Sequence, residues 1–107
     1  MPLDMRTARF PGVPADPAEL EALRRRVAAT PDPAEQMARF LAERTVSLGE
    51  VRAADLYRAF VAYADQAEWV DYLRPSVKAF GTEMARRFGR RRDKHSRYYV
   101  GVATRQA

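Results

Sequence analysis

The chain has 107 residues, of which 47% are hydrophobic, and 19 Lys and Arg against 14 Asp and Glu leave a formal net charge of +5. This length suits one small domain with a modest core, and the lack of cysteine excludes disulfides, thiolate catalysis and cysteine-based zinc sites. The single histidine excludes a histidine-rich metal site. No apolar run reaches the roughly 18 residues of a membrane span, and the first residues lack the apolar region of a signal peptide. We therefore expect a cytoplasmic protein without metal or cofactor.

The charge is unevenly distributed. Residues 1–73 carry nine basic and twelve acidic side chains, a net −3, whereas residues 74–107 carry ten basic and two acidic side chains, a net +8. A basic region on a nearly neutral body indicates a polyanionic partner, with nucleic acid ahead of a membrane surface. The alternative is that the arginines only keep the protein soluble.

The first half of the chain predicts an extended lead-in followed by two helices. Residues 1–15 contain three prolines and no period, so we expect them to be flexible or extended. Two Asp-Pro-Ala-Glu tetrads, at 16–19 and 32–35, each supply an N-cap and a proline at the first helical position. They predict helices over about 17–29, with the narrow apolar stripe Leu20, Leu23 and Val27, and over about 33–45, with Phe40 as its best core residue.

A third helix is predicted over about 53–68, after a one- or two-residue bridge at Val51. Trp69, Tyr72 and Leu73 then lie in a connector that Pro75 ends, and they either cover the edge of the core or form an interaction patch. The core face of this helix is predicted from residues at helical spacing, which are Ala53, Leu56, Tyr57, Phe60, Ala64 and Ala67.

Ser76 is the predicted N-cap of a fourth helix over 76–88, with Gly89 as its C-terminal stop. Gly81 weakens the helix, so we expect it to permit a close approach of another helix. The stripe predicted to dock this helix on the body is Val77, Phe80, Met84 and Phe88.

A basic β-hairpin is predicted after this helix. Seven of the twelve residues over 86–97 are Lys or Arg, 93–96 read as a turn, and 97–102 are β-branched and aromatic. A helix followed by a basic hairpin is the pattern that a winged helix-turn-helix uses to hold DNA. We therefore predict a mainly α fold with a small β-hairpin. It comprises an extension over residues 1–32 with one additional N-terminal helix and, over 33–107, a winged helix-turn-helix domain (a three-helix core plus a wing).

The candidate DNA contacts fall into two groups. Residues on the free face of the fourth helix could enter a major groove, and they are Ser76, Lys78, Ala79, Thr82 and Arg86. Basic residues of the wing could contact the phosphate backbone, and they are Arg87, Arg90, Arg91, Arg92, Lys94 and Arg97. Each set could also be an ordinary solvated surface. No nucleotide-binding, metalloprotease or activated-nucleophile motif is present, so we do not expect an enzyme.

Several of these residues also carry a family resemblance. The pattern resembles the C-terminal winged-helix domain of phage and plasmid primase–helicases, within the poxvirus-like superfamily III helicases, and covers about residues 20–103. Residues 29–41 are similar to the segment that links the ATPase core to that domain. The residues that carry the likeness are Leu56, Tyr57, Phe60, Tyr63, Ser76, Phe80, Gly81, Arg97, Tyr99, Val100, Gly101 and Val102.

The resemblance implies a non-catalytic domain that binds double-stranded DNA in replication, attached to or working with a replicative helicase. The chain departs from the family in lacking the ATPase and primase domains and in a longer connector over 69–73. Three alternatives stay open. The chain could be a protein-interaction module that docks a helicase core or a second copy through the 17–29 helix and the patch of Trp69 and Tyr72. It could also be a stand-alone transcriptional regulator, or a binder of single-stranded nucleic acid with Tyr98 or Tyr99 as a stacking platform.

Overall fold

The computed structural model describes residues 16–105, so the predicted lead-in over 1–15 lies outside the described residues. The described part is mainly helical with a small antiparallel sheet, as predicted. Its helices are α1 (Pro17–Ala29), α2 (Pro33–Arg44), α3 (Ala53–Gln66) and α4 (Val77–Arg87), with a 3-10 turn at Asp71–Leu73. Its strands are β1 (Thr45–Val46), β2 (Glu50–Arg52), β3 (Gly89–Arg92), β4 (Arg97–Val100) and β5 (Ala103–Thr104).

Side-chain caps start three of the helices where the sequence predicted them. The Ala18 N–H donates to the Asp16 carboxylate at 2.8 Å, and the Glu35 N–H donates to that of Asp32 at 2.9 Å. The Ala79 N–H donates to Ser76 Oγ at 3.1 Å, which fixes the start of α4. The N-cap of α3 is Arg52, which makes no such hydrogen bond because its guanidinium has donors only.

The sheet brings the chain after α4 back against the chain before α3. β4 lies between β2 and β3 and is antiparallel to both, so that Tyr99 pairs with Val51 on one side and Arg90 on the other. β2 is a strand of three residues, longer than the predicted bridge of one or two residues. The predicted strand over 97–102 breaks at Gly101, whose φ of 93° leads into β5, and β5 pairs with β1. Neither β1 nor β5 was predicted.

The core is a cluster of aromatic and aliphatic side chains from α2, α3, α4 and β4. Phe40 is fully buried, as predicted, with its ring centroid 5.5 Å from that of Phe60 in an edge-to-face arrangement. The Phe60 and Phe80 centroids are 5.2 Å apart. The other buried members of the cluster are Met37, Leu56, Ala64, Trp69, Met84, Tyr99 and Val102.

Three predictions for α4 were wrong. Val77 is 65% exposed, because spacing identifies the face of a helix but not how far the body extends beneath its first turn. A Cβ on Gly81 would lie 3.6 Å from Tyr99 Oη, so the neighbour of Gly81 is a strand side chain and not another helix. The helix ends at Arg87 with Phe88 in an extended conformation, and Gly89 begins β3 and is not a left-handed stop.

In the connector after α3, the residues predicted to form one patch have different environments. The helix ends at Gln66, two residues earlier than predicted, and Ala67 is exposed and not part of the core face. Trp69 is buried, whereas Tyr72 is 71% exposed. Trp69 therefore packs as one alternative expected, and Tyr72 does not.

α1 lies outside the core. None of its residues is buried, and Leu20 of its apolar stripe is 38% exposed. Arg26 Nε donates to the Glu68 carbonyl at 3.1 Å, and the Val70 N–H donates to Thr30 Oγ1 at 3.1 Å, so polar contacts hold its C-terminal end to the connector. Among the described helices, including this one, none has the length and apolarity needed to cross a membrane.

Candidate nucleic-acid interface

An open groove lies between α4, the first half of α3 and the hairpin formed by β3, β4 and their turn, which we call the basic hairpin. Its volume is about 1200 Å³. Basic side chains from both α4 and the basic hairpin line it, together with an apolar floor. The lining residues are Ala53, Ala54, Tyr57, Arg58, Val61, Val77, Lys78, Phe80, Gly81, Thr82, Ala85, Arg90, Arg91, Arg92, Arg97, Tyr98 and Tyr99.

The structure separates the five residues predicted on the free face of α4. All five are exposed, but only Lys78 and Thr82 line the groove. Thr82 Oγ1 donates to the Lys78 carbonyl at 3.0 Å, so its methyl group and oxygen lone pairs remain available. Ser76, Ala79 and Arg86 lie outside the groove, with Ser76 Oγ already accepting the Ala79 N–H.

Arg86 and Arg87 are both bound to Glu83. Arg86 Nη2 lies 2.8 Å from Glu83 Oε2, and Arg87 Nε lies 2.6 Å from the same oxygen. Hydrogen bonds from Arg86 and then from Arg87 hold the pKa of the Glu83 carboxyl below its ordinary value. Arg87 lies outside the groove and lines a smaller cleft with Phe88 and Val102. These two arginines are therefore not equivalent to the groove cations.

The basic hairpin supplies most of the groove's positive charge. Arg90, Arg92 and Arg97 line the groove, and within residues 16–105 none of the three forms an ion pair. Lys94 lies in the turn and is exposed, outside the groove. Together with Lys78, they place on the groove and the tip of the hairpin five cations that have no ion-pair partner within residues 16–105.

Arg91 differs from its neighbours because its guanidinium is already engaged. Nη2 lies 2.8 Å from Glu50 Oε1 on β2, and the guanidinium carbon lies 4.2 Å from the centre of the Tyr98 ring. The hydrogen bond from Arg91 holds the pKa of the Glu50 carboxyl below its ordinary value. Arg91 thus ties β3 to the far edge of the sheet across β4.

The turn of the basic hairpin is built around Asp93. Its carboxylate accepts the backbone N–H groups of His95 at 2.9 Å and Ser96 at 2.8 Å, and these bonds lower its pKa. The Asp93 N–H donates to the Ser96 carbonyl at 3.0 Å. His95 is therefore a turn residue, as the sequence predicted. Within the described residues, no group of three acidic or histidine side chains could hold a metal ion.

The apolar floor of the groove was not predicted. Ala54, Tyr57 and Val61 contribute from α3, and Val77 and Ala85 from α4. A signal was present, since Ala54, Tyr57 and Val61 follow one another at i, i+3 and i+7 beside the core stripe of α3. Arg58, which also lines the groove, was missed because its i, i+3 pairing with Asp55 resembles an ordinary solvated helix pair.

The two tyrosines of β4 have different environments. Tyr99 is 7% exposed and packs in the core, where burial raises the pKa of its hydroxyl while Arg90 and Arg97 oppose that shift. Tyr98 is half-buried, and the Arg91 guanidinium covers one face of its ring. Tyr99 is therefore not available as a stacking platform for single-stranded nucleic acid, and Tyr98 offers at most the ring face that Arg91 does not cover.

No protein-family model matches the chain, and neither the curated proteins nor the solved structures include a significant match to it.

Proposed function

We propose that this chain is a non-catalytic winged-helix domain that binds double-stranded DNA, with α4 in the major groove and the basic hairpin on the adjacent backbone. The observation that carries the proposal is that α4 and the basic hairpin border one groove and that both supply cations to it, of which Lys78, Arg90, Arg92 and Arg97 form no ion pair with another described residue. Neither element alone would distinguish a DNA site from a solvated basic surface.

The order of the elements supports a winged helix. α2, β2, α3 and α4 precede β3 and β4, and β4 pairs with β2, which sets the hairpin beside α4. In helix-turn-helix proteins the second helix of the pair enters the major groove, which is about 12 Å wide in B-DNA. α3 and α4 take the places of that pair, and Lys78 and Thr82 are the residues that would face base edges.

The charges support binding that is mainly electrostatic. Arg90, Arg92, Lys94 and Arg97 could each neutralise a phosphate, which gives a slope of about −3.6 for log affinity against log salt. Arg86 and Arg91 would have to exchange a carboxylate for a phosphate, so their net contributions should be smaller. Arg87, which lines a different cleft, is not expected to contribute.

A place in phage- or plasmid-type DNA replication, as an accessory domain of a primase–helicase, rests on the resemblance of residues 20–103. The residues behind that resemblance include core and turn positions, such as Phe60, Phe80 and Gly101. They support a shared fold more strongly than a shared role. A stand-alone winged-helix regulator of transcription would use the same groove.

Fluorescence anisotropy with duplex and single-stranded oligonucleotides at about 50 and 200 mM salt tests DNA binding. We expect duplex binding that weakens steeply with salt and is reduced at least tenfold when Arg90, Arg92 and Arg97 are changed to Ala. A control that removes the same charge elsewhere, with Arg24, Arg25 and Arg39 changed to Ala, should bind nearly as well as the wild type. Equal losses in both triple variants, or equal affinity for single strands, would contradict the proposal.

A second candidate is a protein-docking module, and the exposure of α1 favours it. α1 adds nothing to the core, Leu20 is 38% exposed and Tyr72 is 71% exposed. In this case a replicative helicase core or a second copy of the chain would cover the apolar stripe of α1, which consists of Leu20, Leu23 and Val27. Size-exclusion chromatography with a purified helicase core, comparing wild type with Leu20→Ser, should then show a complex that the variant loses while its duplex binding is unchanged.

A further inference from the structure

The groove combines a basic rim with a floor that is unexpectedly apolar. Val77 is 65% exposed at the first position of α4, and Val61 and Ala54 line the same groove from α3. Exposed apolar surface rimmed by charged residues marks a binding site, but a phosphate cannot rest on it, because burying an ionised group against hydrocarbon is strongly unfavourable. Cations and apolar side chains that line one groove would therefore contact different parts of a ligand bound there.

Duplex DNA presents two apolar surfaces next to its phosphates. One is the deoxyribose ring, whose C2′ carries only hydrogen, and the other is the thymine methyl group in the major groove. Every nucleotide has the sugar, whereas the methyl group is present only at some positions. A groove with cations on its rim follows the backbone, so the sugar is the surface that the floor would meet.

We propose that the floor formed by Val77, Val61 and Ala54 packs against deoxyribose and makes this site select DNA over RNA. The inference rests on the proposed DNA-binding function and specifies which part of the nucleic acid the floor contacts. A ribose would bring its 2′-hydroxyl against the three aliphatic side chains. None of them can donate or accept a hydrogen bond, so the hydroxyl would lose its water without a replacement.

Competition anisotropy with three duplexes of one sequence tests the proposal: DNA, the same DNA with deoxyuridine for thymidine, and RNA. We expect the wild type to bind DNA at least about fivefold more tightly than RNA and to ignore the deoxyuridine substitution. Because the deep, narrow major groove of A-form RNA also disfavours α4, the change in this ratio on substituting Val77 is the measurement that reports the sugar contact. Val77→Thr keeps the side-chain shape but adds a hydroxyl that can pair with the 2′-hydroxyl. It should lower the DNA-to-RNA affinity ratio by about threefold or more.

Two control variants separate the floor contact from effects of helix shape. Val77→Ile keeps the floor apolar and should keep the ratio, and Val100→Thr changes an exposed valine outside the groove and should also keep it. Circular dichroism would verify that each variant is folded, which the exposure of Val77 and Val100 favours.

The outcomes distinguish this inference from the function on which it rests. A ratio near one in the wild type, or a ratio that Val77→Thr does not change, would overturn the deoxyribose contact while leaving DNA binding intact. A loss of affinity on the deoxyuridine duplex would assign the floor to thymine methyl groups instead. If none of the duplexes binds, the proposed function itself fails, and an acidic amphipathic peptide becomes the ligand to test in the groove.

Discussion

Arg91 donates two hydrogen bonds to the Glu50 carboxylate, from Nε at 3.0 Å and from Nη2 at 2.8 Å, and so links the two edge strands of the sheet. The same guanidinium lies over the Tyr98 ring of the central strand. Of the three consecutive arginines on β3, the middle one therefore holds the basic hairpin in place, while Arg90 and Arg92 face the groove without a partner among the described residues.

The consecutive arginines should differ in single substitutions. Arg90→Ala and Arg92→Ala should each reduce the salt slope of duplex binding by about 0.9 and leave the urea midpoint unchanged. Arg91→Ala should lower the urea midpoint, because it releases Glu50 and Tyr98, and should change the salt slope less. Urea titration followed by circular dichroism, with anisotropy at several salt concentrations, measures both quantities. The assignment of Arg91 would be wrong if its variant kept the wild-type midpoint and lost a full phosphate contact.

Gly81 should tolerate a side chain, although the sequence suggested that it could not. A Cβ there would be in ordinary contact with Tyr99 Oη at 3.6 Å, and alanine favours the helix by about 0.5–1 kcal/mol over glycine. We expect Gly81→Ala to raise the free energy of unfolding by about that amount. Gly49→Ala is the matched control, and it should destabilise by about 1 kcal/mol or more because the φ of Gly49 is 90°. A loss of stability in Gly81→Ala would restore the close-approach hypothesis.

Arg74 should matter for stability more than the exposed arginines do. Its side chain is only 12% exposed, donates to the Trp69 carbonyl at 3.1 and 2.6 Å and pairs with Asp65 at 2.8 Å. Arg74→Met should lower the free energy of unfolding by about 2 kcal/mol, since it leaves the part-buried carbonyl without a donor. Arg58→Ala removes an arginine that is 80% exposed and should have almost no effect. Equal effects in the two urea titrations would contradict this view of the connector.

Glu83 should make part of the stability depend on pH. Its pKa is lowered in the folded state by Arg86 and Arg87, so its contribution is complete above the unfolded pKa and disappears as pH falls through the lower folded value. Glu83→Gln should therefore have a lower urea midpoint than the wild type at pH 7, and the gap should close in acid, below the ordinary carboxyl range. A gap that persists unchanged in acid would refute the role of these ion pairs.

Local sequence was sufficient to locate the helices and the hairpin. Asp16, Asp32 and Ser76 start their helices through hydrogen bonds within three residues, which is why capping patterns predicted the first residues of α1, α2 and α4. Core residues such as Phe40 and Phe60 were predicted because helical spacing puts apolar side chains on one face. The turn at Asp93 is likewise local, since its hydrogen bonds span three residues or fewer.

Only the tertiary structure decided what each face meets. The exposure of Val77, the contact of Gly81 with Tyr99, and the pairing of β1 with β5 all depend on residues far away in the chain, and helical spacing carries no information about them. The same holds for the candidate site. The sequence by itself determined that basic residues cluster over 86–97. The distances between side chains decided that Arg86 and Arg91 bind carboxylates. They also decided that Arg90, Arg92 and Arg97 border a groove with an apolar floor.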